Sequence, residues 1–249
     1  MRTPPRPIEF STGEEIAILY ENRWALAIDK PRGWMLPPTS RQKTSRNLQA
    51  AVASSIAAGD FWARSRDLKY LRFVHRLDAG TSGVLLGAKS PGAVRSYSQL
   101  FASRRMIKVY LAVVHGKPRQ REWFCQLKLA PEEAQPGPMR PDQRHGKEAE
   151  TQFRVVQTGK LTALVEARPL TGRTHQIRIH LAESGYPVLG DDLYGVGGET
   201  AVNLALRSAA LSYVDPFSGR RTHIRAPLEE FAKEYGFDLG AFSITLKPE

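Results

Sequence analysis

The hydrophobic residues of this chain fall into short runs separated by turn-forming residues. One run covers 24–28 and stops at Lys30-Pro31-Arg32-Gly33, where Pro31 removes a backbone donor and Gly33 permits a turn. Short runs rich in β-branched and aromatic residues are typical of strands. The same pattern predicts strands at 83–88, 106–115, 122–129, 149–157 and 160–168, and a hairpin joining 205–214 to 221–225.

Helical periodicity is limited to a few segments. Residues 47–58 carry apolar side chains four positions apart and are followed by Gly59, which is typical of a helix end. Ser90-Pro91 is typical of a helix start, with serine as the N-cap and proline in the first turn. Because strands outnumber helices and do not alternate regularly with them, the predicted fold class is α+β. The other predicted helices lie between Thr174 and Gly185, with Thr174 as the cap, and at 228–235.

Proline and glycine content indicates how the chain is organised. Residues 1–15 begin with a Pro- and Arg-rich stretch that offers little apolar surface for burial, so we expect a mobile N-terminal arm. Residues 16–249 are expected to form a single catalytic domain, since this length suits one large domain. The segment 131–147 contains four prolines and two glycines and is expected to be a long loop.

Charge and composition restrict the possible partners. The 249 residues include 36 Lys plus Arg and 25 Asp plus Glu, which gives a formal net charge of +11. Such an excess favours a polyanionic partner, and basic residues between 64 and 76 alternate with aromatic ones, so we expect nucleic acid rather than membrane. A solvated basic surface without a partner is the alternative.

Cysteine usage and the N-terminal sequence bear on location. Cys125 is the only cysteine, which excludes an intramolecular disulfide and a cysteine-based zinc site. The N-terminus has no apolar core of a signal peptide, and no run approaches the ~18 apolar residues of a membrane span. We therefore expect a cytoplasmic protein that does not bind membranes.

Three segments concentrate residues that could perform chemistry. The first, 75–83, holds a carboxylate, cationic side chains and two hydroxyls between two predicted strands. The second, 168–180, is a loop with three arginines that runs into a helix N-terminus, which suits a phosphate or a carboxylate. The third places Lys108 and Tyr110 on one face of a strand. Each also has an ordinary structural interpretation: a capped turn, a surface helix and a tyrosine of the sheet.

Other enzyme classes lack their motifs. The chain has no phosphate-binding P-loop, no dinucleotide-binding glycine motif and no serine-hydrolase elbow. His175 and His180 are five residues apart rather than the four that stack two ligands on a helix face, so no metal site is expected.

In combination, these segments resemble the RluA family of pseudouridine synthases. His75-Arg76-Leu77-Asp78 followed by Thr81-Ser82-Gly83 matches the family's nucleophile motif. The similarity extends from about residue 21 to about residue 228, although Asp29 stands where asparagine is common and 131–147 matches no motif. The residues before the first motif are too few for the S4 RNA-binding domain that many relatives carry. Further matches are Ile28–Gly33 for the first motif, Lys108–Ala112 for the tyrosine strand, and Gly172–Gly195 for the third motif.

The resemblance implies a bent, mostly antiparallel mixed sheet with a basic cleft, and an isomerase that flips a uridine out of RNA. Asp78 takes the catalytic position, and Tyr110 stacks on the flipped base and assists proton handling. Arg178 forms a salt bridge with Asp78 and keeps it ionised. Arg76 fills the space that the uridine leaves. His75, Thr81, Arg173 and Ile177 complete the candidate substrate-binding set, with Ile177 as an apolar wall.

The implied reaction involves neither a redox step nor water activation, so we expect no metal and no cofactor. The expected substrate is a stem-loop of ribosomal or transfer RNA, and the expected state is a monomer. Two alternatives stay open. One is a non-catalytic RNA-binding or RNA-folding factor with the same fold, and the other is a carboxylate-dependent nucleosidase, which would release free uracil.

Overall fold

The computed structural model describes residues 6–36, 46–132, 138–197, 203–240, 242–244 and 246. These residues group into two compact units. The first unit runs to Met106 and also includes Ala210–Ala226, and the second contains Ile107–Ala209 and the residues from Pro227 onward. The single domain expected for 16–249 stays a prediction.

The first unit combines antiparallel strands with three helices. Strands β3 (Ile18–Glu21), β4 (Ala25–Lys30) and β6 (Ser82–Ala88) lie side by side in that order, and β5 (Arg72–Phe73) also pairs with β6. The register of β4 against β6 sets Lys30 opposite Gly83. The elements are β1 (Ile8–Glu9), β2 (Glu15–Ile16), β3 (Ile18–Glu21), β4 (Ala25–Lys30), α1 (Leu48–Ala58), α2 (Phe61–Arg64), β5 (Arg72–Phe73), β6 (Ser82–Ala88) and α3 (Pro91–Ala102).

Helix boundaries in this unit follow the capping residues. The Asn47 side chain accepts a hydrogen bond from the backbone N–H of Ala50, and Gly59 ends α1 with a φ of 72° in the left-handed region. The Ser90 side chain likewise accepts from the N–H of Ala93 at the start of α3. Apolar side chains of α3 pack on β4 and β6 in the core, and the helices predicted from these signals are confirmed.

The N-terminal residues depart from the prediction. Ile8–Glu9 pairs with Glu15–Ile16 in a separate two-stranded sheet, and the side chains of Ile8 and Ile16 are buried. Two isoleucines supply enough apolar surface to hold this segment in place. Residues 8–16 therefore differ from the mobile arm predicted for 1–15, of which residues 1–5 lie outside the described chain.

The second unit contains a group of antiparallel strands in the order β7 (Ile107–His115), β11 (Thr162–Pro169), β10 (Lys147–Thr158), β8 (Glu122–Pro131) and β9 (Met139–Pro141). Four of these strands were predicted, but β7 lies beside β11 rather than beside β8, the next strand along the chain. Strand β12 (Leu206–Val214) is divided between the units at Ala210 and pairs with β13 (Arg221–Arg225) in the predicted hairpin. The elements are β7 (Ile107–His115), β8 (Glu122–Pro131), β9 (Met139–Pro141), β10 (Lys147–Thr158), β11 (Thr162–Pro169), α4 (Gln176–Glu183), β12 (Leu206–Val214), β13 (Arg221–Arg225, in the first unit) and α5 (Glu229–Glu234).

Part of the predicted long loop 131–147 is a strand. Met139–Pro141 pairs with Leu129–Pro131, because β8 continues beyond the predicted end and offers its edge to the returning chain. Residues 133–137 lie outside the described chain. The structure confirms the α+β class, as a mixed sheet with a few helices. No helix formed by the described residues has the length and apolar character needed to cross a membrane.

Candidate active site

Asp78 lies on a tight turn between two segments of the first unit. The turn is closed by a hydrogen bond from the N–H of Thr81 to the carbonyl of Asp78, at 3.1 Å. Asp78 is half-buried, whereas Thr81 is only 2% exposed. Strand β6 begins immediately afterwards at Ser82, so the turn that holds the carboxylate is fixed by a fully buried strand.

A buried lysine holds this turn through hydrogen bonds to its backbone. Lys30, the last residue of β4, is 0% exposed, and its Nζ donates to the carbonyls of Thr81 at 2.8 Å, Pro31 at 3.0 Å and Ala79 at 3.1 Å. Burial lowers the pKa of Lys30 to about 7, and the negative charge of Asp78 offsets part of that effect. Lys30 therefore connects the end of β4 to the backbone that follows Asp78.

The turn after β4 makes a second connection. Gly33 has a φ of 82°, a backbone conformation that glycine adopts without strain, and its N–H donates to the carbonyl of Ala79 at 2.8 Å. The glycine and the lysine of the first motif thus act on one short segment, which the register of β4 on β6 brings within reach. The sequence interpretation took these residues as the end of a strand and as the first motif of the family, without a role for either side chain or backbone group.

His75 and Arg76 precede the turn. The backbone N–H of Leu86 donates to Nε2 of His75 at 3.0 Å, and the imidazole stacks on Phe101 with ring centroids 4.7 Å apart. His75 thus has a positioning role within the first unit, while the Arg76 side chain is exposed. Four predicted site residues, His75, Arg76, Asp78 and Thr81, therefore lie within seven consecutive positions.

In the second unit, Tyr110 lies on β7 opposite Ala167 of β11 and is half-buried. Lys108, two residues earlier on the same face, donates from Nζ to the carbonyl of Thr171 at 2.5 Å. The loop after β11 is thereby attached to the strand that carries Tyr110.

The segment before α4 is held by a buried amide. Gln176 accepts at Oε1 from the hydroxyl of Thr171 at 2.7 Å and from the N–H of Arg173 at 2.9 Å. Its Nε2 donates to the carbonyl of Glu150 and the hydroxyl of Thr151 on β10. The Gln176 residue is 4% exposed, and its hydrogen bonds fix the loop on β10 before the helix begins.

The start of α4 differs from the predicted one. The helix begins at Gln176 after His175, which has a φ of 55° and provides no side-chain cap, so the cap predicted at Thr174 is wrong. The His175 Nδ1 lies 3.0 Å from the Tyr194 hydroxyl, and Nε of Arg173 donates to the carbonyl of Glu148. Local side-chain contacts, rather than the preceding threonine, set the start of this helix.

Arg178 is buried against a carboxylate of the second unit. Its Nε and Nη2 donate to the two oxygens of Asp191 at 2.7 and 2.6 Å, and Nη2 also lies 3.2 Å from Asp192 Oδ1. Burial alone would raise the pKa of Asp191, but the bonds from Arg178 outweigh it and the pKa is lowered. Asp191 also accepts from the N–H groups of Leu193 and Tyr194. The pairing of Arg178 with Asp78 stays a prediction.

Ile177, predicted as an apolar wall for the substrate, is 6% exposed and belongs to the core. His180 is 0% exposed, and burial lowers its pKa to about 4. Within the described ranges, neither ring nitrogen of His180 has a hydrogen-bond partner, and no group of three or more His, Cys, Asp or Glu side chains could hold a metal ion.

The sequence interpretation missed three supporting residues: Lys30, Gln176 and Asp191. All three lie in segments that it singled out, but it gave them no role. A signal was available for Lys30, because a charged residue directly at the end of an apolar strand is buried only when it has partners. Asp191 had no comparable signal, since its partner lies thirteen residues away on a helix.

Comparisons with known proteins show which family this chain is similar to. A family model described as RNA pseudouridylate synthase matches residues 25–183. The ribosomal large subunit pseudouridine synthase C of Escherichia coli (strain K12) is 35% identical over 227 residues, which cover 87% of this chain and 67% of that protein. Its counterpart in Buchnera aphidicola subsp. Schizaphis graminum (strain Sg) is 33% identical over 235 residues, covering 88% and 69%.

Solved structures show the same fold. Human RNA pseudouridylate synthase domain containing 1 matches with a TM-score of 0.67 at 25% identity, covering 85% of this chain and 83% of that one. Human RNA pseudouridylate synthase domain containing 4 matches with a TM-score of 0.69 at 22% identity, covering 86% and 89%, and supports the fold alone. This chain therefore belongs to the RluA family of RNA pseudouridine synthases, isomerases that act on RNA.

Proposed function

We propose that this chain converts uridines of large-subunit ribosomal RNA to pseudouridine, with Asp78 as its catalytic carboxylate. The relatives from Escherichia coli and Buchnera are named for the ribosomal large subunit, and the net charge of +11 favours a polyanionic substrate. The observation that carries the assignment of Asp78 is its place on a turn that the buried Lys30 holds through the carbonyls of Ala79 and Thr81.

The reaction requires an ionised carboxylate beside the ribose. It breaks the bond between N1 of uracil and C1′ of ribose, turns the base, and joins C5 to C1′ while the C5 proton leaves and N1 gains one. The negative charge of Asp78 raises the pKa of the buried Lys30 and so favours the charged form of the lysine beside the carboxylate. Hydrogen bonds from Lys30 to the carbonyls of Ala79 and Thr81 also fix the backbone directly after Asp78, so the carboxylate is preorganised before RNA binds.

The remaining predicted site residues have assisting roles in this proposal. Tyr110 stacks on the flipped base and assists proton transfer at carbon, and Arg178 pairs with Asp78. Arg76, whose side chain is exposed beside the turn, fills the space that the uridine leaves, which offsets part of the few kcal/mol that flipping costs. His75, Thr81, Arg173 and Ile177 support the site mainly by holding these groups in place.

The proposal includes the finer expectations about the protein's setting. We expect a monomer in the cytoplasm, since a free surface suits a large RNA and a single cysteine suits a reducing compartment. Selection of the target stem-loop would involve the 131–147 segment, which matches no motif of the family.

Tritium release tests the proposal directly. Large-subunit ribosomal RNA labelled with tritium at uridine C5 is prepared from cells that lack the gene and is incubated with purified protein. We expect release by the wild type and a fall of at least ~100-fold for Asp78→Asn, because an amide cannot act as nucleophile or base. The matched control is Asp67→Asn, an exposed aspartate of the same unit with a φ of 46° that asparagine tolerates, and it should release tritium at the wild-type rate.

Three results would contradict parts of the proposal. Release by Asp78→Asn at the wild-type rate would remove Asp78 from the chemistry. Free uracil in the reaction mixture would indicate a nucleosidase. Tight RNA binding without release, from large-subunit RNA and from transfer RNA alike, would favour a non-catalytic RNA-binding factor.

A further inference from the structure

A cavity of about 510 Å³ lies in the first unit between α1 and the segment 69–76. This volume is in the range of small-molecule sites. Neither Asp78 nor Lys30 is among the described residues that line it. We call it the α1 pocket, and its lining residues are Leu36, Gln49, Ala53, Ile56, Ala57, Lys69, Tyr70, Leu71, Arg72, Phe73, His75 and Arg76.

One wall of the α1 pocket is apolar and is not required by the core. The core face of α1 is formed by Leu48 and Val52, which are buried. Ala53, Ile56 and Ala57 form a second apolar stripe on α1, at positions three and four residues apart. Ala53 and Ala57 are exposed and Ile56 is half-buried, so the helix presents apolar surface to the pocket rather than to the protein interior.

The opposite wall alternates cations with aromatic rings. Tyr70 and Phe73 are half-buried, while the side chains of Lys69, Arg72 and Arg76 are exposed around them. An aromatic surface rimmed by arginine and lysine is the usual arrangement for a nucleotide, because the rings stack on the base and the cations attract the phosphates.

This wall is fixed before any ligand binds. The Gln49 side chain reaches from α1 to the segment, donating from Nε2 to the carbonyl of Leu71 at 2.9 Å and accepting at Oε1 from the N–H of Phe73 at 3.0 Å. At the far end, His75 is held by the backbone of Leu86. A rigid wall reduces the entropy cost of binding.

We propose that the α1 pocket binds a nucleotide that neighbours the target uridine in the RNA strand, an inference that rests on the proposed function. Arg76 belongs to the pocket and is two residues from Asp78, so their Cα atoms lie within about 7 Å. An RNA strand that delivers a uridine to Asp78 therefore carries an adjacent nucleotide past the pocket opening. The base enters between the α1 stripe and Tyr70, and its phosphate is paired by Arg72.

The sharpest test fills the pocket without changing charge. Ala53→Phe places a ring in the opening from an exposed helix position, and Ala50→Phe adds the same ring to an exposed position of α1 outside the lining. Affinity for large-subunit ribosomal RNA is measured by filter binding, with both changes made in the Asp78→Asn background to prevent turnover. We expect Ala53→Phe to weaken binding about 10-fold and Ala50→Phe to leave it unchanged.

Two further variants separate the base from the phosphate. Tyr70→Ala should weaken binding with little change in salt dependence. Arg72→Ala should make the slope of log K against log salt less negative by about 0.7 to 0.9, because one phosphate contact is lost. Arg95→Ala, an exposed arginine of α3, is the control for general charge and should change neither affinity nor slope. Ultraviolet cross-linking should place a nucleotide adduct on Tyr70 or Phe73.

The outcomes distinguish this inference from the proposed function. Equal affinities of the Ala53→Phe and Ala50→Phe proteins, with no adduct in 69–76, would overturn the α1 pocket while tritium release by the wild type still supports the isomerase. Weakened binding by Ala53→Phe in a protein whose wild type releases no tritium would support the pocket and overturn the function.

Discussion

Each unit of the molecule buries a cation next to the candidate site residues, Lys30 in the first and Arg178 in the second, and the two are hydrogen-bonded in different ways. Lys30 in the first unit donates to three backbone carbonyls. Arg178 in the second unit makes a bidentate pair with the carboxylate of Asp191. Carbonyls are neutral dipoles, whereas a carboxylate carries a full opposite charge. The hydrogen-bond partners of Arg178 therefore neutralise its charge, and those of Lys30 do not.

This difference has consequences for what each cation can do. Arg178 makes two hydrogen bonds to Asp191, and this pair holds the start of α4 on the segment 191–194. The charge of Lys30 is left to act on Asp78, and burial brings its pKa to about 7. The lysine therefore suits a group that acts electrostatically beside a reacting carboxylate, and the arginine suits a permanent structural pair.

The largest effect is expected from breaking the Arg178 pair. Arg178→Met leaves Asp191 charged and buried without its partner, which should lower the free energy of unfolding by about 3–5 kcal/mol. The measurement is urea denaturation followed by circular dichroism. The control is Arg140→Met, which removes a pair with Asp142 at 3.9 Å whose arginine is 58% exposed, and it should cost less than about 1 kcal/mol. Equal costs for the two variants would contradict the structural role of the buried pair.

Much of the fold could be predicted because local signals and tertiary structure agree. Apolar spacing before Gly59 and the start signal at Ser90-Pro91 predicted two helices, and runs rich in β-branched and aromatic residues predicted the strands of the second unit. The failures occur where distant contacts decide the conformation. Ile8 becomes part of a strand only because Ile16 is available as a partner across the turn, and β9 forms only because β8 leaves an edge to pair with.

The candidate site was predictable as a set of segments but not as a set of contacts. The motif residues around Asp78 identified the turn, and the resemblance supplied roles for Tyr110 and Arg178. The sequence could not show that Asp191 holds Arg178, because an arginine near several carboxylates has no preferred partner until packing selects one. It also could not show which groups Lys30 would meet, since the carbonyls of Ala79 and Thr81 lie about fifty residues further along the chain.

A smaller effect is expected from removing the cation of the first unit. Lys30→Met leaves the carbonyls of Pro31, Ala79 and Thr81 with one donor fewer each, which should lower the free energy of unfolding by about 2 kcal/mol. It should also lower the rate of tritium release, because the Asp78 turn loses both its anchor and its positive neighbour. Lys160→Met, at an exposed position, should change neither quantity. A Lys30→Met protein with wild-type activity would show that the turn holds its geometry without the lysine.

The smallest effect is a pH dependence that only the lysine can produce. The pKa of Lys30 is about 7 when folded and about 10.5 when unfolded, so between these values the unfolded chain binds the extra proton and stability rises with pH. Its contribution is fully present above 10.5 and is lost as the pH falls through 7. The difference in unfolding free energy between the wild type and Lys30→Met should therefore move in favour of the wild type by ~1 kcal/mol from pH 7 to pH 8. The corresponding difference for Lys160→Met should stay constant, and a constant difference for Lys30→Met as well would mean that the carbonyls keep Lys30 protonated, as firmly charged as Arg178.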